Sequence, residues 1–230
     1  MNDFLQPVKE SENMLIKRIL CIVICMLLML SLFGCSAVKS DSLSSLASVE
    51  IKEYKGAKLS SIEDFRENSI KGPQHVDIKT YKLKVDGLVE KPSSFTYDEV
   101  LSNKKYTKVV TLHCVEGWDV TILWEGILLK DIFEKVQVKS QANTVIFYAV
   151  DGYSTSLPIK TIQDKNMILA YKMNGVVLPP ERGFPFQLVA EDKLGYKWAK
   201  WIDRIELSND VNYKGYWEQR GYDNNAEVSN

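Results

Sequence analysis

Residues 144–159 read TVIFYAVDGYSTSLPI, and this stretch decides the class of fold. Its first half is a dense run of β-branched and aromatic residues, which predicts a strand, and Asp-Gly then signals a tight turn. The residues after the turn are therefore expected to return as an antiparallel partner. Residues 167–173 predict a further strand, which Asn174 and Gly175 turn into a short partner at residues 176–178.

Short strands and short helices follow one another irregularly on either side of this stretch. Because helices do not separate every pair of strands, the order does not predict a doubly wound parallel sheet, and we expect an α+β domain. Further strands are predicted at residues 80–89, 108–115, 186–190 and 201–207, and helices at residues 91–102 and 128–136.

The composition is that of an ordinary globular protein. The chain has 230 residues, of which 45% are hydrophobic and 26% charged, and its formal net charge is -1. This length suits one well-filled domain better than two. Since the sequence has no basic field, nucleic acid is not an expected partner.

Residues 1–35 predict a lipoprotein signal peptide. Lys17 and Arg18 precede the apolar run ILCIVICMLLMLSLFG at residues 19–34, which is short for a transmembrane helix. The run ends before Cys35 in LFGC, which resembles the lipobox of bacterial lipoproteins. The alternative is an uncleaved single-span anchor. Both interpretations put the chain on a membrane, and we expect a lipid on Cys35 to hold it on the extracytoplasmic face.

Behind the signal peptide the sequence divides into three parts. Residues 36–60 are rich in Ser, Lys and Ala without apolar periodicity, so they predict a solvated tether. The globular domain is expected at residues 61–222, followed by a polar tail at residues 223–230. The polar residues before the second methionine favour Met14 as the true start of translation.

Cys114 is the residue on which the functional prediction depends. The other cysteines, Cys21, Cys25 and Cys35, lie in the signal peptide, so the mature domain has no intrachain disulfide framework. Cys114 follows a predicted buried strand in LHCVEGW, where the chain turns out of the sheet, and strand ends commonly hold ligands. Three interpretations remain open: a buried apolar residue, a reactive nucleophile or a metal ligand.

A second candidate segment is LPPERGFPFQLVAEDKLGYKWAK at residues 178–200. Arg182, Lys197 and Lys200, together with backbone amides, could meet an anionic group such as a phosphate. The alternative is that the lysines are surface side chains lying along aromatic neighbours. The sequence has no zinc-type spacing, no nucleophile elbow and no phosphate-binding P-loop.

Six blocks occur in order along the chain: TYKLKVDGLVEKP, HCVEGW, WEGILLKDIF, DGYSTSLP, LPPERGFPFQLVAEDKLGYKWAKWIDRIEL and GYWEQRGY. Together they resemble the oxidoreductase molybdopterin-binding domain over about residues 68–222. The resemblance is closer to the catalytic subunit of methionine-sulfoxide reductases than to eukaryotic sulfite oxidase. It implies an α+β core of the sulfite-oxidase type, with mixed β-sheets and short helices.

The resemblance also implies a molybdenum–molybdopterin site. In this family the cysteine of the HCVEGW block supplies a thiolate to molybdenum, so Cys114 is the expected catalytic residue and metal ligand. The GYKWAK block matches the loop that holds the pterin phosphate. The cofactor contacts implied for this chain are Cys114, Val115, Glu116, Trp118, Arg182, Trp198, Ala199 and Lys200.

The reaction implied by the resemblance is two-electron oxygen-atom transfer, with a sulfoxide or another small molecule as substrate. Because the chain has no heme, flavin or iron–sulfur motif, a separate electron-transfer partner is expected. A monomer is expected, since the dimerisation domain of larger sulfite oxidases has no room here. Gln187 stands where family members carry a phosphate-binding arginine, with Arg182 as the candidate replacement. This departure favours an alternative function, a non-catalytic lipoprotein binding module that kept the fold and lost the cofactor.

Overall fold

Two five-stranded sheets dominate residues 43–228, the part of the chain that the computed structural model describes. In pairing order, the first sheet consists of β4 (Ser93–Phe95), β3 (Leu83–Gly87), β12 (Ile202–Ser208), β7 (Thr144–Ala149) and β8 (Ser154–Pro158). The second consists of β10 (Val176–Val177), β9 (Ile168–Met173), β6 (Asp119–Leu128) and β5 (Lys105–His113), with β11 (Gln187–Val189) also paired to β9. A small hairpin precedes them, formed by β1 (Glu53–Tyr54) and β2 (Ala57–Lys58).

The hairpins expected from the Asp-Gly and Asn-Gly turns are confirmed. Strands β7 and β8 pair antiparallel across the first turn, and β9 and β10 pair across the second. Gly152 and Gly175 have φ values of 89° and 81°, the left-handed conformation that these tight turns require. The pair β3–β12 is parallel, so the first sheet is mixed and the α+β class is confirmed.

The helices are short, as expected, but one predicted helix is partly wrong. They are α1 (Leu43–Ala47), α2 (Tyr97–Leu101), α3 (Leu129–Val136) and α4 (Ile159–Asp164). Residues 93–95, which were predicted to belong to a helix at residues 91–102, form strand β4 and pair with β3. Helix α2 begins only at Tyr97, because Thr96 and Glu99 form a reciprocal capping box there.

Strand β6 is the largest element that the sequence pattern did not predict. Its residues are buried on both faces over most of its length, so the period-two alternation of a half-buried strand is missing. A bulge between Glu125 and Gly126 also breaks the pairing with β9. A Cβ atom on Gly126 would lie 2.4 Å from the carbonyl oxygen of Leu169, so the close approach of β9 requires glycine.

One cluster of buried apolar side chains joins the two sheets. It takes residues from strands of both sheets and from α3, whose Leu129, Ile132, Phe133 and Val136 are buried. Removal of this apolar surface from water is the main force that holds the sheets together. Cys114 lies at the boundary of the cluster, next to Leu112 at the end of β5.

Residues on both sides of the predicted domain also bond to it. Within the predicted tether, Glu50 is buried and accepts hydrogen bonds from Ser61 Oγ at 2.6 Å, Ile62 N at 3.0 Å and Asn174 Nδ2 at 3.0 Å. In the predicted tail, Ala226 is buried and its carbonyl accepts from the backbone of Leu194 at 2.8 Å. Residues 50–60 and 223–227 therefore belong to the domain, because their polar groups are satisfied by it.

The signal peptide at residues 1–35, with Met14 and Cys35, lies outside the described residues, as does the start of the predicted tether. Among the helices of residues 43–228, none combines the length and the apolar character needed to span a membrane.

Candidate functional site

Cys114 lies directly after β5, in the tight turn that leads into β6. Its backbone N–H donates to the carbonyl of Trp118 at 3.0 Å, and the N–H of Gly117 donates to the Cys114 carbonyl at 3.0 Å. Gly117 has a φ of 80°, which glycine adopts without strain. This hydrogen-bonded turn holds the thiol at the end of the sheet, where it lines a cleft.

The Cys114 thiol is buried in a mixed electrostatic environment. Burial raises its pKa above the usual value, and the charge of Glu116 acts in the same direction. The backbone N–H of Glu116, the charge of Arg66 and the amide of Asn68, whose Nδ2 lies 3.7 Å from Sγ, oppose the rise but do not outweigh it. The thiol is therefore protonated at neutral pH, and a metal ion that binds it must displace this proton.

The cleft beside Cys114 has a volume of about 170 Å³. Five parts of the chain line it: the Cys114 turn, the β7–β8 hairpin, the loops around β11, the irregular segment at residues 65–70 and the segment at residues 217–222. The lining side chains include both aromatic rings and charged groups. The lining residues include Phe65, Arg66, Asn68, Cys114, Trp118, Tyr153, Arg182, Gln187, Trp198, Lys200, Trp217 and Tyr222.

Lys200 and Arg182 form the cationic end of the cleft. Lys200 Nζ lies 3.0 and 3.1 Å from the two carboxylate oxygens of Glu67, and Arg182 Nη1 lies 3.9 Å from one of them. Burial lowers the pKa of both cations, and the negative charge of Glu67 opposes this effect. Two cations side by side, the buried Arg182 and the half-buried Lys200, provide the electrostatics that an anionic group such as a phosphate requires.

Gln187 contributes a buried hydrogen-bond acceptor that has no partner within residues 43–228. Its side chain is 3% exposed, it lines the cleft, and its Oε1 accepts no hydrogen bond there. A buried amide oxygen without a partner costs free energy, which a ligand with N–H or O–H donors would recover. Gly183 lies against Gln187 and Lys200, since a Cβ on this glycine would be 3.1 Å from the Cβ atoms of both.

Aromatic side chains line the opposite wall of the cleft and its mouth. The rings of Tyr196 and Trp217 each pack against the ring of Tyr222, with centroids 5.2 and 5.1 Å apart. The Tyr153 hydroxyl donates a hydrogen bond to the carbonyl of Tyr196. Burial raises the pKa of Tyr196 to about 12, so its hydroxyl stays neutral. This wall offers ring faces and neutral hydroxyls rather than charge.

Seven of the eight residues proposed from the sequence as cofactor contacts line the cleft: Cys114, Val115, Glu116, Trp118, Arg182, Trp198 and Lys200. Ala199 is buried; its backbone N–H donates to the carbonyl of Lys197 at 3.1 Å, and its carbonyl accepts from the N–H of Leu188 on β11 at 2.9 Å. The sequence-based suggestion that Lys197 meets an anionic ligand here is wrong. Its ammonium group is fully buried elsewhere, where it pairs with Glu218 and donates to Asn224 Oδ1 at 2.9 Å.

Sequence reasoning missed one wall of the cleft. Residues 65–70 (FRENSI) carry no apolar periodicity, so the pattern indicated only an irregular start of the domain. The tertiary structure brings Arg66 and Asn68 to Cys114 and brings Glu67 to Lys200. The available signal was an aromatic residue followed by clustered polar residues in a loop, a pattern typical of ligand sites.

Comparisons with known proteins agree on one family. Residues 70–217 match the family model described as the oxidoreductase molybdopterin binding domain. The chain is 36% identical over 151 residues to the uncharacterized oxidoreductase YuiH of Bacillus subtilis, a match that covers 65% of this chain and 76% of that protein. It is 33% identical over 149 residues to the putative protein-methionine-sulfoxide reductase subunit YedZ1 of Azospira oryzae, covering 65% of this chain and 56% of that one.

A solved structure shows the same fold. The sulfane dehydrogenase SoxCD from Paracoccus pantotrophus superposes with a TM-score of 0.58 at 23% identity, over 63% of this chain and 41% of that chain. The core of sulfite-oxidase type that the sequence resemblance implied is therefore confirmed as the fold. The chain spans about three quarters of the first relative and about half or less of SoxCD and YedZ1.

Proposed function

Because the chain belongs to the oxidoreductase molybdopterin-binding domain family, we propose that its cleft holds molybdopterin and that Cys114 is the protein ligand of molybdenum. The observation that carries this proposal is a thiol that lines a cleft together with two cations and an amide oxygen that has no partner within residues 43–228. A thiolate suits a soft redox metal, and these polar groups suit a pterin that carries a phosphate. When bound, this cofactor supplies two-electron oxygen-atom transfer.

The residues of the chain bind and orient the cofactor in this proposal. Lys200 and Arg182 hold the phosphate, and Gln187 Oε1 accepts a hydrogen bond from the ring system. The Trp198 ring forms a wall that cannot turn, because its Nε1 donates to the carbonyl of Lys193 at 2.8 Å. The Cys114 turn fixes the thiol, and Val115, Glu116 and Trp118 shape its surroundings, with Trp118 Nε1 donating to Glu116 at 3.1 Å.

A sulfoxide or a similar uncharged molecule is the substrate class that the cleft favours. Its mouth is lined by aromatic rings, which suit a neutral substrate with apolar parts. In this proposal Lys200 and Arg182 are occupied by the pterin phosphate, so they offer an anionic substrate little attraction. The name of the YedZ1 relative, a putative protein-methionine-sulfoxide reductase subunit, supports the same class. The electrons come from a separate protein partner, since the sequence has no second redox motif.

The protein is anchored at the extracytoplasmic face of the membrane by a lipid on Cys35 in this proposal. The support is the apolar run before LFGC, together with the positive residues that precede it. Cys35→Ser should accumulate as an uncleaved precursor without a lipid, because cleavage and lipid attachment both act at that cysteine. Cys25→Ser, a matched change inside the apolar run, should be processed like the wild type. Mass spectrometry that finds the same processing in all three chains would contradict lipid attachment at Cys35.

Elemental analysis for molybdenum tests the cofactor proposal. The wild type, made in a host that synthesises the cofactor, should hold near-stoichiometric molybdenum, and Cys114→Ser should lose it or change its absorption spectrum. Thr111→Ser is the matched control, because Thr111 lies on β5 and bonds to Thr121 Oγ1 at 2.8 Å, away from the cleft lining. Folded wild-type protein without molybdenum or pterin would overturn the proposal and favour the non-catalytic binding module.

A further inference from the structure

The Glu67 carboxylate pairs with two cations that line the cleft, Lys200 and Arg182. Both of its carboxylate oxygens contact Lys200 Nζ, at 3.0 and 3.1 Å, and Arg182 Nη1 lies 3.9 Å away. The carboxylate also accepts the backbone N–H of Ser69 at 2.9 Å. One of the two positive charges at this end of the cleft is therefore balanced by a side chain of the protein itself.

Arg182 is anchored by bonds to the backbone, and both cations are less exposed than the Glu67 carboxylate. Arg182 donates from Nε to the carbonyl of Ile62 at 3.0 Å and from Nη2 to the carbonyl of Phe65 at 3.3 Å. The Lys200 side chain is 17% exposed and that of Arg182 is 5% exposed. Glu67 belongs to an irregular segment, and its side chain is 27% exposed. If one member of the cluster moves, it is the carboxylate.

Gln187 provides independent evidence that a ligand reaches this end of the cleft. It is nine-tenths buried or more, it lies with Lys200 against Gly183, and its Oε1 has no partner among residues 43–228. The described residues satisfy the cations but leave this acceptor open. A ligand that supplies hydrogen-bond donors to Gln187 would bring any anionic group it carries close to Lys200.

We propose that Glu67 is a resident counter-anion: it occupies the anion subsite of the free chain, and a phosphate group binds there only when the Glu67 carboxylate moves out. This inference deepens the proposed function, but it does not depend on molybdenum or on catalysis. The resident carboxylate weakens phosphate binding, because the apparent affinity is the affinity of the open subsite multiplied by the fraction of molecules in which it is open. A neutral side chain at position 67 should remove that competition.

Titration with inorganic phosphate tests the counter-anion directly. The full-length chain is made in a host that lacks the cofactor, and binding is measured by calorimetry. Glu67→Gln should bind phosphate roughly 10- to 100-fold more tightly than the wild type, the range expected if the subsite is open in about a tenth to a hundredth of wild-type molecules. Glu63→Gln is the matched control, because its carboxylate lies in the same segment but bonds to Ser44 Oγ at 2.9 Å.

Two further measurements identify the subsite and the source of the phosphate. The gain should disappear in the double variant Glu67→Gln with Lys200→Met if the phosphate meets Lys200. In a host that makes the cofactor, Glu67→Gln should retain at least as much pterin as the wild type, read by fluorescence after release. Tighter phosphate binding with less pterin would assign the subsite to free phosphate rather than to the cofactor.

The outcomes that contradict the counter-anion are distinct from those that contradict the proposed function. Equal phosphate affinity in Glu67→Gln, Glu63→Gln and the wild type would overturn it, whatever the molybdenum content. If Glu67→Gln does not fold in phosphate-free buffer, refolding with phosphate decides. Recovery of the fold by phosphate supports the counter-anion, because the unpaired cations then need an anion, and failure of phosphate to restore it overturns the idea.

Discussion

The buried ion pair of Lys197 and Glu218 gives the sharpest prediction about stability. Both side chains are fully buried. Lys197 Nζ donates to Glu218, to Asn224 Oδ1 at 2.9 Å and to the carbonyl of Ser156 at 3.1 Å, so all three of its N–H bonds have acceptors. Burial lowers the pKa of Lys197, although the charge of Glu218 opposes this effect.

Lys197→Met removes the charge and keeps most of the volume of the side chain. The Glu218 carboxylate then retains the hydrogen bond from Thr155 Oγ1 at 2.7 Å, while its Oε2 has no partner among the described residues even in the wild type. Removing one member of a buried pair costs about 3–5 kcal/mol. In a domain of this size each kcal/mol of lost stability lowers the Tm by about 2–4 °C, so the Tm of Lys197→Met should fall by roughly 6–20 °C.

Thermal unfolding followed by circular dichroism measures this loss. Lys160→Met is the matched control, because the pair Lys160–Asp164 is 83% and 57% exposed and should contribute less than about 1 kcal/mol. The double variant Lys197→Met with Glu218→Gln should recover most of the stability, since it leaves no buried charge without a partner. A Lys197→Met protein as stable as the Lys160→Met control would refute the reasoning, as would a double variant no better than the single one.

Three further predictions concern other parts of the domain. Gly126→Ala should lower the free energy of unfolding by about 1–3 kcal/mol in urea titrations, because a Cβ would clash with a carbonyl of β9. Asp86→Asn should cost about 1 kcal/mol at pH 7 and nothing near pH 2 in the same assay. Burial raises the pKa of Asp86, but hydrogen bonds from Arg204 and Lys84 outweigh the effect of burial and lower the pKa below its usual value. The stability that Asp86 contributes is therefore lost as the pH falls through its pKa in the folded protein. Burial raises the pKa of Cys114, and the charge of Glu116 raises it further, so Glu116→Gln should lower this pKa. Iodoacetamide should then modify Cys114 of the cofactor-free protein faster at neutral pH, as mass spectrometry of the Cys114 peptide would show.

The strands and turns that local chemistry specifies were predictable from the sequence. The Asp-Gly and Asn-Gly turns lie where the pattern put them, because these residues adopt the required backbone angles without help from distant parts of the chain. Strand β6 was not predictable in this way, since burial of both faces removes the alternation on which such predictions depend. The contacts of Glu50 could not be predicted for a related reason, because some of its partners lie far along the chain.

The sequence by itself determined the class of fold, the family resemblance and the candidate thiol Cys114, because each depends on residues close together in the chain. Only the tertiary structure decided which cations serve the cleft. Lys197 ends a 3₁₀ helix (Gly195–Lys197) and Lys200 lies three residues later in an irregular loop; the first pairs with Glu218 in the interior and the second lines the cleft. Spacing specifies a direction in a helix or a strand but not in such a loop. There, the acceptors supplied by distant segments, Glu218 for one lysine and Glu67 for the other, determine where each charge lies.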